Sequence, residues 1–78
     1  MIFDHSDTGK SYFIPDEKCD LDLFKVEGDI LILSTGEKVK FKTKQGAKDA
    51  WIHFQECIRD HGTRLFFHEE SSSFGYWL

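Results

Sequence analysis

The segment from Gln45 to His61 restricts the fold of this chain more than any other. Ala47, Ala50, Trp51, Phe54, Cys57, Ile58 and His61 recur at spacings of three and four. That places them on one stripe of a 3.6-residue helix. Lys48, Asp49, Gln55, Glu56, Arg59 and Asp60 take the other side, with Ile52 and His53 beside the stripe. Thr43 is a suitable N-cap, because a hydroxyl there accepts from the free N–H groups of the first turn. Gly62 stands where a left-handed residue ends a helix. The stripe has to be covered. Its Ala47/Ala50 end allows close approach to a sheet, and Trp51 and Phe54 fill the space beyond.

The flanking runs supply that sheet. Ile2-Phe3 and Tyr12-Phe13-Ile14 are β-type runs around the turn residues Ser6-Asp7-Thr8-Gly9. They predict a hairpin over residues 1–14. Pro15 lacks a ladder donor, so residues 15–22 form a polar connector. Strands are expected within residues 23–43. Residues 30–33 are continuously apolar, which predicts a central strand covered on both faces. Ser34-Thr35-Gly36-Glu37 is a hairpin turn with a glycine suited to positive φ. Lys38-Val39-Lys40-Phe41-Lys42-Thr43 alternates strictly. Val39, Phe41 and Thr43 therefore point one way, and Lys38, Lys40 and Lys42 the other. After the helix, residues 63–78 hold one or two further strands around a polar loop at 69–73.

Short turns imply antiparallel neighbours. The expected fold is α+β: an antiparallel sheet of four to six strands with one amphipathic helix packed on one face. Seventy-eight residues make one domain. Eight Phe, two Trp and two Tyr can build its single core. Apolar content is too high and net charge too low for a disordered chain. The N-terminal residues lack the basic and apolar regions of a secretory signal, and no apolar run approaches the roughly 20 residues that span a bilayer. The expectation is a soluble cytoplasmic protein. Two cysteines, Cys19 and Cys57, are too few for a disulfide scaffold and are expected to be reduced.

The net charge of −4 is segregated: residues 1–37 carry −6, residues 38–48 carry +5 and residues 49–78 carry −3. The positive segment holds Lys38, Lys40, Lys42, Lys44 and Lys48. Lysines two apart on a strand stand roughly 7 Å from each other, near the spacing of phosphates on a nucleic-acid strand. The row suits a phosphate backbone or an acidic protein surface. It equally suits an edge strand that has to resist edge-to-edge pairing. Phe41 points away from the lysines, so no base-stacking ring accompanies them.

Chemistry is thinly represented. His53, Cys57 and His61 recur every four residues and offer a weak zinc site, which Cys19 or His68 would complete. Cys57 is better explained as a small buried core residue. Ser71, Ser72 and Ser73 have no evident base, and Glu69 and Glu70 look like solvent-facing charge. The Gly9-Lys10-Ser11 triplet lacks the upstream glycine of a phosphate loop. No cofactor, metal or small-molecule substrate is indicated, and an enzyme is not expected.

The C-terminal rings point elsewhere. Alternation cannot turn all of Phe66, Phe67, Phe74, Tyr76 and Trp77 toward the helix. Phe67, Tyr76 and Trp77 are therefore the expected partner-binding face, with Lys38, Lys40, Lys42 and Lys44 as the second candidate. The resulting expectation is a small non-catalytic protein that docks on a larger protein or on a second copy of itself. Nucleic acid ranks below a protein partner.

Overall fold

The computed structural model describes residues 1–78. Its elements follow in the order β1 (Ile2–His5), β2 (Lys10–Phe13), β3 (Lys25–Glu27), β4 (Ile30–Ile32), β5 (Lys38–Lys40), α1 (Lys44–Arg59), β6 (Arg64–His68) and β7 (Ser73–Trp77). Two single turns of 3-10 helix, Asp16–Lys18 and Leu21–Leu23, fill the connector behind Pro15. No helix is long and apolar enough to cross a membrane.

The fold is α+β with one helix packed against the sheet residues. The strands divide into a four-stranded sheet, β2-β1-β6-β7, and a three-stranded meander, β3-β4-β5. Helix α1 packs on β6 and β7 of the first and on β3 and β4 of the second. One difference from the expected sheet matters for everything below: β1 and β6 run parallel. Short turns force antiparallel pairing only between consecutive strands. The meander and α1 lie between β1 and β6, and a connection of that length permits a parallel pair.

The helix forms for the reasons its sequence suggests. Thr43 Oγ1 accepts from the Gly46 N–H at 3.0 Å. Ala47, Ala50, Phe54 and Cys57 are buried, and Trp51 and Ile58 are half-buried. The helix ends two residues sooner than its periodicity implies. His61, with φ of 58°, takes the left-handed position, and not Gly62. The Gly62 N–H then donates to the Cys57 carbonyl at 2.7 Å and the His61 N–H to the Ile58 carbonyl at 3.1 Å. This pair of bonds is a Schellman ending. Gly62 has a steric role instead. A Cβ there would collide with Cys57 Sγ and stand 3.2 Å from the Trp77 carbonyl oxygen.

Aromatic rings join the two sheets beneath the helix. Phe54 lies 5.3 Å from Phe3 of β1 and 5.0 Å from Phe24, which in turn lies 5.6 Å from Trp51. Phe41 bridges on the other side, 6.0 Å from Phe67 and 4.8 Å from the ring of His5. Phe3, Phe41 and Phe54 are all buried. Truncating any one of them to alanine would cost about 3–5 kcal/mol.

The meander departs from its expected shape in one respect. Leu31 and Leu33 are buried, but Ile30 and Ile32 are only half-buried. Strand β4 is central in its sheet and covered on one face alone. Ile32 sits between Lys25 and Lys38, and Ile30 between Glu27 and Lys40. The aliphatic stems of such neighbours shelter an isoleucine without closing a second core. Gly36 has the positive φ that its turn requires, 92°.

The helix ending makes opposed predictions. Gly62→Ala should destabilise by about 1–3 kcal/mol, the usual penalty for overpacking. His61→Gly should stabilise by roughly 0.5–1 kcal/mol, since it relieves a left-handed non-glycine residue. Urea unfolding of both variants checks the pair of signs.

Candidate functional site

Three groups of residues have functional potential. The first is the helix-free face of the four-stranded sheet. Its register sets Phe13, Ile2, Arg64 and Trp77 in one row, and Ser11, Asp4, Phe66 and Gly75 in the next. Phe13 is 66% exposed and Trp77 55%, while Ile2 and Phe66 are half-buried. At the centre Arg64 Nε donates to Asp4 Oδ2, and Ser11 Oγ donates to Asp4 Oδ1. The Arg64 guanidinium holds the Asp4 carboxyl below its ordinary pKa. The face is thus an apolar rim around a paired charge.

Only Trp77 of the three expected face residues lies here. Phe67 is buried on the helix side against Phe41. Tyr76 shares that side, where its hydroxyl donates to Asp60. This hydrogen bond, together with burial, pushes the tyrosine pKa up to about 12. Alternation on β6 allows two phases, and the helix takes Leu65 and Phe67, leaving Phe66 outward. Phe13 belongs to the face as well. Its place was hidden because Ile14, one residue on, is the buried member of the run.

The lysines are the second group. Lys38 and Lys40 are exposed on β5, an edge strand of the meander. Lys40 Nζ lies 3.8 Å from Asp29, and Lys42 is paired with Glu70. The Glu70 hydrogen bond raises the Lys42 pKa. Lys44 is exposed in the first turn of α1. Beside Lys38 and Lys40, β4 carries Ile32 and Ile30 and β3 carries Lys25 and Glu27, so the row has no ring for stacking a base. Two of the four lysines are partly neutralised by their neighbours.

The third group was not foreseen as a unit. Because β1 and β6 are parallel, both run out at the same edge, and the residues that follow each meet. His5 ends β1 and Asp7 follows it; His68 ends β6, and Glu69 and Glu70 follow. Asp7 Oδ2 accepts the Glu69 N–H at 2.7 Å. Asp7 Oδ1 lies 3.0 Å from His68 Nε2, and Asp7 Oδ2 lies 3.5 Å from His5 Nε2. Glu69 is not free surface charge. Its carboxylate accepts the Lys42 N–H at 2.9 Å and the Thr43 N–H at 3.1 Å, just ahead of the helix. Gly46 makes this possible, because a Cβ there would collide with that carboxylate. Burial pushes the Asp7 carboxyl up, but the Glu69 N–H and His68 outweigh it, so its pKa falls below the ordinary value.

His5 is the anomaly of this group. Its side chain is only 2% exposed, and neither ring nitrogen has a hydrogen-bond partner. A buried polar group left unsatisfied costs about 1–3 kcal/mol. Burial lowers the His5 pKa despite Asp7 and Glu69 nearby.

Ser71 Oγ lies 2.5 Å from His68 Nδ1, which supplies the base its loop had seemed to lack. The contacts Asp7–His68–Ser71 have the order of a nucleophilic relay. Ser71 is exposed and also bonded to Ser73. The shallow pocket nearby, about 250 Å³, has no hydrophobic residue in its lining, whereas small-molecule sites are mostly apolar and enclosed.

The expected weak zinc stripe does not assemble. The His53 ring stacks on Phe74 at 3.5 Å. His61 leaves the helical stripe at the left-handed turn. Cys57 is buried, its Sγ 4.0 Å from the Arg64 carbonyl oxygen. Cys19 and His61 both line a cavity of about 520 Å³, whose lining includes neither His53 nor Cys57. Both cysteines are free thiols.

No match was found to a family model, to a curated protein or to a solved structure.

Burial pushes the Cys57 thiol up to about 11. A thiol reagent at pH 8 should therefore modify Cys19 in the native protein and leave Cys57 intact. Two thiols should react after denaturation. Rapid native labelling of Cys57 would show that its site opens.

Proposed function

We propose that this chain is a small non-catalytic binding protein that docks, through the helix-free face of its four-stranded sheet, on a larger protein or on a second copy of itself. The single observation behind this reading is the open face itself. Phe13 and Trp77 stand more than half exposed at its two sides, with Ile2 and Phe66 between them. Tryptophan and arginine are the residue types that most often dominate protein interfaces. Here Trp77 and Arg64 are cross-strand neighbours. The Asp4–Arg64 pair gives such an interface polar specificity at its centre, and it is complementary to another copy of itself.

The lysine row supports nucleic acid less well. Lys42 and Lys40 each have an acidic neighbour, and no aromatic side chain shares their face. Neutralising several phosphates would make affinity fall steeply with salt. Docking through the apolar face would change little.

Sedimentation over a concentration series tests self-association, and affinity capture tests a larger partner. Truncating one hot-spot ring costs about 2 kcal/mol or more, roughly 30-fold in affinity. Phe13→Ala and Trp77→Ala should each weaken the complex to that extent, and Lys38→Gln with Lys40→Gln should leave it intact. Association that survives loss of both rings would rule this face out.

A further inference from the structure

We propose that His5, Asp7 and Glu69 form a binding site for one divalent first-row transition-metal ion, of the zinc or manganese class. The site is independent of the docking face, which lies on the other side of the sheet from the His5 ring.

Four observations converge. One ligand atom from each of the three residues lies within 4.8 Å of the others. In a tetrahedral shell with bonds of about 2.1 Å, neighbouring ligand atoms stand about 3.4 Å apart. His5 Nε2 and Asp7 Oδ2 are already at 3.5 Å, and side-chain shifts on the order of an ångström close the rest of the shell. His5 is a buried imidazole with neither nitrogen partnered, and its Nε2 faces Asp7 across 3.5 Å. A metal ion would supply the partner that the protein does not. The two carboxylates are already oriented by backbone N–H groups, Asp7 by Glu69 and Glu69 by Lys42 and Thr43. Outer-shell hydrogen bonds of this kind fix metal ligands in place, and Asp7 Oδ2 and Glu69 Oε1, which each accept one N–H, keep a second lone pair. Finally, His68 stands on the remaining oxygen of Asp7 at 3.0 Å, one layer further out.

The donor set chooses the class of ion. Calcium and magnesium favour shells made of oxygen alone. An imidazole beside two carboxylates suits zinc, manganese or ferrous iron. The site also has a consequence for the fold. It ties together the turn after β1, the turn after β6 and, through Glu69, the residues that lead into α1.

The test uses the full chain, stripped with chelator and titrated with Zn²⁺ by calorimetry and with Co²⁺ by visible absorption. One equivalent of each should bind. Zn²⁺ at about 100 times its Kd should raise Tm by about 10–20 °C. His5→Phe keeps a ring between Phe3 and Phe41, so it should fold at least as well without metal. It should lose affinity by more than the roughly 10–100-fold that outer-shell changes cost. Asp7→Asn retains an acceptor for the Glu69 N–H and should lose the same binding, which guards against misfolding of the first variant. His53→Ala with His61→Ala should bind normally. Absence of binding in the wild-type chain would overturn the proposal. So would binding that survives His5→Phe or Asp7→Asn, since that ion would be held adventitiously elsewhere.

Discussion

The parallel pairing of β1 with β6 is the contact on which the rest of the structure depends. It places the first strand and the penultimate strand at the centre of the four-stranded sheet, with β2 and β7 added outside as hairpin partners. Its inner face supplies Phe3, His5, Leu65 and Phe67, all buried. These residues make the floor on which α1 lays Ala47, Ala50, Phe54 and Cys57. The pairing is also the most non-local in the chain, so its closure entropy has to be met before its burial is gained. The meander β3-β4-β5 is local by comparison and joins the core through Leu31, Val39 and Phe41.

Much else follows from that one geometry. Parallel neighbours bring their carboxyl ends to the same edge, so the turns after His5 and His68 meet and build the His5–Asp7–Glu69 group. An antiparallel β1–β6 pair would have sent them to opposite edges. The same sheet has a single helix for two faces, which leaves Phe13, Ile2, Phe66 and Trp77 outside. The covered face thus carries stability and one buried polar cluster. The uncovered face carries the exposed rings Phe13 and Trp77. The Glu69 clamp links the end of β6 to the other sheet, because it satisfies the amides of Lys42 and Thr43 at the point where the meander becomes helix.

Local pattern made a large part of this legible. The stripe from Ala47 to Ile58, the Thr43 cap, the Gly36 turn and the Val39/Phe41 alternation are each written in a few neighbouring residues, and each is found. What pattern could not supply is phase and partnership across distance. Leu65-Phe66-Phe67 reads equally well with either phase outward, and only packing against Phe41 decides that Phe67 is buried and Phe66 faces out. Gly62 looked like a left-handed residue because glycines usually fill that position. Its real constraint is the approach of Cys57 Sγ, a tertiary contact. Glu69 looks like surface charge and Asp7 like a turn residue, because nothing beside them in the chain shows that they face each other. The clue available was modest: a histidine two residues before one acid, and another directly before a pair of acids.

Native-state hydrogen exchange read residue by residue tests the central dependence most directly. If the β1–β6 pair is the frame, amide protons in β1 and β6 should exchange as slowly as those around Phe54 in α1, through global unfolding alone. Those of β3, β4 and β5 should exchange faster, through local opening of the meander. The contradicting result is a β1 that exchanges faster than the meander, because the central strand of the sheet would then be the part added last.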